Sequence, residues 1–171
     1  MECGKTRVMI ATLYELIKKQ RFTPSRIFAN CWLDIPGSHW LRNDELKKVL
    51  RRAFNTEIGE GRWNMAIFLI MEADDLYSHI TQSDKQCFED IKTASQAYKR
   101  NQYLLYEVHE GFGVPKYLRD KTEISCRPYP NEPENLAECI ICDGHFGVKY
   151  SQKVTNLSAI NGRYHRFSEL Y

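Results

Sequence analysis

Trp63-Asn64-Met65-Ala66-Ile67-Phe68-Leu69-Ile70-Met71 contains the longest unbroken apolar run of the chain, seven residues at positions 65–71. A membrane-spanning helix needs about 20 such residues, so the run crosses no bilayer. It has the length of a strand, and no polar residue alternates with the apolar ones. A strand of that kind offers no face to water, which predicts a central strand of a sheet covered on both sides. Gly59 and Gly61 mark the loop that leads into it.

Upstream, Ile10, Leu13, Tyr14 and Ile17 fall at i, i+3, i+4 and i+7, the stripe of a helix over residues 5–20. Thr23-Pro24 reads as an N-cap with proline at the first helical position, where its missing N–H costs nothing. Phe28, Cys31 and Trp32 continue it as a second stripe, which Pro36 and Gly37 stop. Leu46, Val49, Leu50 and Ala53 define a third helix whose other face carries Lys47, Lys48, Arg51 and Arg52. Downstream, Ser83 and Gln86 form a capping box for one further long helix lined by Cys87, Ile91, Ala94 and Tyr98. Residues 103–109, 123–129, 138–143 and 146–150 have strand character, and residues 128–135, with three prolines, read as a projecting loop. Helices followed by strands around one more helix predict an α+β fold. It has an N-terminal three-helix region and then a mixed or mainly antiparallel sheet. At 171 residues this is one domain, 1–171, with a basic helical part (1–56) and a sheet-containing part (57–171).

The formal net charge of +2 conceals an asymmetry. Residues 1–56 hold eleven Lys or Arg against five Asp or Glu; residues 57–171 hold thirteen against seventeen. A basic front draws an acidic protein surface or nucleic acid by long-range attraction. The acidic Asp44 and Glu45 at the start of the third helix oppose major-groove reading, so a protein partner ranks ahead of nucleic acid. Lys5, Arg7, Glu15, Lys18 and Lys19 interrupt any signal-peptide core, giving a cytoplasmic expectation in which the six cysteines are reduced thiols.

Cys139-Ile140-Ile141-Cys142-Asp143-Gly144-His145 is the most specific local motif. Two thiolates two residues apart can wrap a turn around Zn²⁺, with Cys126 and His145 completing a tetrahedron. One structural zinc is therefore the cofactor to test. If the segment is a regular strand instead, the two cysteines point to opposite faces. Glu72, Asp74 and Asp75 follow the apolar run, where Mg²⁺-dependent nucleases place their ligands and where a helix cap also needs carboxylates. Neither a phosphate loop, nor a dinucleotide glycine fingerprint, nor a zinc-protease histidine pair is found.

Asn30-Cys31-Trp32, Gly144-His145-Phe146 and Asn161 stand in the order nucleophile, base, orienting amide. In these few residues the chain resembles papain-like thiol hydrolases, and the resemblance implies Cys31 as nucleophile, His145 as base and Asn161 as orienter. Such a nucleophile opens a helix, whereas Cys31 stands near the end of its stripe. With no complete catalytic signature, the sequence points to a small non-enzymatic binding or regulatory protein acting on a macromolecular partner. A viral or mobile-element accessory factor is one such class; the thiol hydrolase is the alternative. The zinc expectation is checked by elemental analysis: a structural site gives about one zinc per chain and a melting temperature that falls on chelation, and a metal-free chain indifferent to chelator removes it.

Overall fold

The computed structural model describes residues 5–20, 22–54, 63, 65–77, 89, 92, 102–109, 114–120, 125–131, 136–142, 148–155 and 164–165. Its centre is the apolar run. Ile67–Ile70 forms a strand whose four residues are all buried. Their backbone groups can be satisfied only laterally. On one side they meet Ile27–Ala29 in parallel, with Phe28 opposite Phe68; on the other they meet Tyr103–Tyr106, also in parallel, with Leu105 opposite Leu69. His39–Trp40 pairs in parallel with the outer side of Ile27–Ala29. In chain order these strands are β1 (Ile27–Ala29), β3 (His39–Trp40), β4 (Ile67–Ile70) and β5 (Tyr103–Tyr106), and the sheet runs β3-β1-β4-β5.

Period-two alternation along β4 sorts the core into two clusters. Phe68 and Ile70 pack with Phe28 of β1 and with Leu46, Leu50 and Ala53, the apolar stripe of α2 (Asn43–Phe54). Ile67 and Leu69 pack with Met9, Ile10 and Leu13 from α1 (Lys5–Gln20). Each face of the sheet is thus covered by one amphipathic helix, the arrangement that all-parallel sheets require. Phe28 stacks on Phe68 at 5.6 Å between centroids and on the His39 ring at 4.7 Å.

Helix α1 occupies the span its periodicity predicts, and α2 carries the expected stripe. The second of the three expected N-terminal helices is not formed. Thr23 is an N-cap and Pro24 a first helical residue, but the helix is a single 3-10 turn, Pro24–Arg26, and Ile27 already has extended backbone (φ −104, ψ 121). Phe28, Cys31 and Trp32 imitate a helical stripe by spacing; three buried residues wedged between β3 and β4 gain more from lateral pairing than an isolated short helix retains. Strand β2 (Trp32–Leu33) follows, pairing antiparallel with β9 (Tyr164–His165). Ile35-Pro36-Gly37-Ser38 then turns the chain into β3, with Ser38 N–H donating to the Ile35 carbonyl and Gly37 at φ +91, a conformation that suits glycine.

The core sheet is parallel, which corrects the expected mixed or mainly antiparallel one. Among the described residues, antiparallel pairing is confined to β2 with β9 and to a separate sheet of β6 (Ser125–Asn131), β7 (Leu136–Cys142) and β8 (Val148–Thr155), in the order β6-β7-β8. Pro128 and Pro130 lie within β6 rather than in a projecting loop, as an edge strand permits. Of the expected long helix after Ser83, Glu89 and Lys92 are helical and exposed, while Cys87, Ile91, Ala94 and Tyr98 lie outside the described residues. Two short helices follow the parallel strands, α3 (Ala73–Leu76) after β4 and α4 (Lys116–Asp120) after β5. Among the described residues no helix is long and apolar enough to cross a membrane.

One buried side chain extends the pairing where β1 ends. The Asn30 Oδ1 accepts from Met71 N–H at 2.7 Å and its Nδ2 donates to the Met71 carbonyl at 2.8 Å, so the amide acts as one more ladder position. Nδ2 also reaches Asn43 Oδ1 at 2.9 Å, tying this ladder to the first residue of α2. Replacing Asn30 by leucine strands both backbone groups of Met71. Urea unfolding should show a loss of about 2–4 kcal/mol, and Asn30→Asp, which cannot donate when ionised, should lose a comparable amount.

Candidate functional site

Because β1, β4 and β5 run in parallel, their carboxyl ends share one edge, the edge at which open parallel sheets bind ligands. Beyond β4 come Met71, packed into the α1-side cluster, and Glu72. Glu72 adopts the left-handed conformation (φ 53, ψ 56), which costs a residue with a Cβ on the order of 1 kcal/mol. The strain turns the chain abruptly into α3 and sets the Glu72 carboxylate 3.5 Å from His109 Nε2. Beyond β5 come Glu107, Val108 and His109. The Glu107 backbone bridges the two strand ends, donating to the Ile70 carbonyl at 3.0 Å and accepting from Ala73 N–H at 2.8 Å. Asp74 takes the His109 N–H at 3.3 Å and 3.4 Å, one distance to each carboxylate oxygen.

The N-terminus of α1 closes onto this edge. Lys5 Nζ donates to the Val108 carbonyl at 2.6 Å and to the His109 carbonyl at 3.1 Å. Thr6 Oγ1 donates to Glu107 Oε2 at 2.8 Å, with both residues more than nine-tenths buried. The first turn of α1 holds no acidic residue, so the positive end of a sixteen-residue helix dipole is left uncompensated from within, and Lys5 adds a full charge there. The helix start thus favours an anion. Among the described residues no group of three His, Cys, Asp or Glu side chains is arranged to hold a metal by itself.

This juxtaposition was missed in the sequence, although its signal is there. Gly4-Lys5-Thr6 is the second half of the phosphate-loop pattern, G-x-x-x-x-G-K-[ST], and its Lys5 and Thr6 open a helix as they do in that pattern. The fragment carries three of that pattern's four fixed positions. Gly4 itself lies outside the described residues.

The residues singled out in the sequence are dispersed. Cys31 is fully buried between β1 and β2, packed with the α1-side core, and no helix begins at it. Its supposed partners His145 and Asn161 lie outside the described residues. Cys126 falls on β6, opposite Ile141; Cys139 and Cys142 fall on β7, opposite Pro128 and Ser125. The Cys139–Cys142 stretch therefore runs as strand, with an irregularity between Ile141 and Cys142, rather than as a turn, and His145 is again outside the described residues. Lys48, Arg51 and Arg52 are exposed on α2 and Lys47 is half-buried. Of the three carboxylates after the apolar run, Glu72 is the N-cap of α3 yet makes no side-chain capping bond.

No family model matches the chain, and no curated protein matches its sequence. In its backbone the chain is similar to the crystal structure of the N-terminal domain of zonular occludens toxin from Neisseria meningitidis, with a TM-score of 0.61 over 90% of this chain and 88% of that one, at 12% sequence identity. The likeness is one of fold.

Proposed function

We propose that the chain binds the triphosphate of a nucleotide at the carboxyl edge of its parallel sheet, and that it is a nucleotide-responsive form of the expected binding or regulatory protein. What carries the reading is Lys5-Thr6, preceded in the sequence by Gly4, opening α1 where Thr6 meets Glu107 and Lys5 meets the carbonyls beyond β5. Lys5, an ammonium resting on two neutral carbonyls, gains by exchanging them for phosphate oxygens. Thr6 holds a hydroxyl against a buried carboxylate, the pairing that can face a Mg²⁺ arriving with the nucleotide. Mg²⁺ sites of this type take one or two protein oxygens and complete their shell with phosphates and water, so the residues here fit without a three-residue cluster. Met71 stands where phosphate-loop proteins carry a strand-end aspartate, and its thioether packs in the core. That leaves Glu72 as the carboxylate to orient a water.

Melting curves and calorimetry of the full chain with Mg·ATP, Mg·GTP and inorganic triphosphate test this. At a hundredfold excess over Kd the bound state gains about 2.7 kcal/mol, a rise in Tm of roughly 5–10 °C. Lys5→Met should abolish the rise, and Thr6→Ala should remove its dependence on Mg²⁺. A chain indifferent to all three ligands at millimolar concentration does not have this function.

A further inference from the structure

His109 is gripped through its carbonyl, its N–H and its ring. Lys5 Nζ donates to the His109 carbonyl at 3.1 Å and to that of Val108 at 2.6 Å. The Asp74 carboxylate takes the His109 N–H at 3.3 Å and 3.4 Å, and the Glu72 carboxylate lies 3.5 Å from the ring Nε2. The bonds to Asp74 are longer than the ordinary N–H···O range of about 2.7–3.2 Å, so Lys5 supplies the firmer hold on this backbone. The chain is anchored up to the residue before. Tyr106 is the last residue of β5 paired with β4, and Glu107 is fixed through its backbone to Ile70 and Ala73 and through its carboxylate to Thr6. Beyond Glu107, the hydrogen bonds on the backbone of Val108 and His109 among the described residues are those with Lys5 and Asp74. Lys5 cannot leave without loosening them.

Resting on the nucleotide reading and extending it to the control of Glu72, we propose that Lys5 and His109 form a catch that the triphosphate releases. In the empty chain Lys5 pins the Val108–His109 backbone, and the His109 ring stands against the Glu72 carboxylate. A triphosphate oxygen offers an ammonium a full charge where a carbonyl offers a dipole, so the arriving ligand draws Lys5 from both carbonyls. The pinned and released arrangements differ by those two bonds, and a ligand that competes for Lys5 shifts the balance between them. His109 then withdraws from Glu72, whose carboxylate can orient a water only with the triphosphate in place. The turn at Glu72 itself stays fixed, because Ala73 N–H is bonded to the Glu107 carbonyl and Asp75 N–H to that of Glu72. His109 is thus a positioning residue that acts through Glu72.

Magnetic resonance of the full chain tests the catch. Val-His occurs once in the sequence, so valine labelled with ¹³C at its carbonyl and histidine labelled with ¹⁵N give a single peptide resonance, which reports on the Val108 carbonyl and the His109 N–H. Saturating Mg²⁺ and inorganic triphosphate, with loading followed by calorimetry, should move that resonance upfield in carbon. The His109 N–H should also exchange with water roughly tenfold faster, the loss of one good hydrogen bond. Lys5→Met should do the same in the empty chain, whereas Lys5→Arg, which can donate to both carbonyls, should keep the resting position. The ring nitrogens of His109, identified by their loss in His109→Gln, report on Glu72 in the same sample. Glu72→Gln should shift Nε2 in the empty chain and leave it unmoved in the loaded one, whereas a packing contact without a role in the site responds alike in both. Absence of binding overturns the nucleotide reading and the catch with it. Binding that leaves the Val108–His109 resonance in place, or a Glu72→Gln shift of equal size with and without ligand, overturns the catch alone.

Discussion

Strand β4 has no face turned to water, and the architecture follows from satisfying it. Its peptide groups find partners in β1 and β5, and its side chains divide between α1 and α2. A strand enclosed on both faces by helices belongs to a parallel sheet, because the crossover helices that bring the chain back to the same end are the covering layers. The only place where such a sheet leaves backbone and side chains to negotiate with something else is at the strand ends. Asn30 fills one of those positions with an amide that copies the ladder onto Met71.

The carboxyl edge is thus both the place where the strands stop and the place where charge accumulates. Glu72 accepts an unfavourable backbone conformation there, and Glu107 is buried while bonded to Thr6. Buried carboxylates and strained backbones are expensive, and the surrounding packing has to hold them. Lys5 sits among them on carbonyl oxygens, which are weaker partners for an ammonium than an anion.

Much of the local structure was legible in residue order. The α1 stripe, the α2 stripe and the apolar strand stand where their patterns put them, and the later strands overlap their expected spans, with β6 running on into residues expected as a loop. Phe28, Cys31 and Trp32 misled, because a spacing of three and four residues is helical only if the segment is long enough to sustain a helix. The site was legible in half: Lys5 and Thr6 carried a motif fragment, but Glu72, Glu107 and His109 are separated from it by 67 to 104 positions, and no local pattern relates them.

By itself the sequence determined which segments are amphipathic, which strand is enclosed on both sides and where proline and glycine interrupt, since each of these depends on neighbours a few bonds away. Only the tertiary structure decided that the enclosed strand has parallel partners and that the start of α1 meets the ends of β4 and β5. Strand direction and end-to-end proximity depend on which distant segments share a peptide ladder, and two- to four-residue strands such as β1, β3 and β5 are too short to announce their partners.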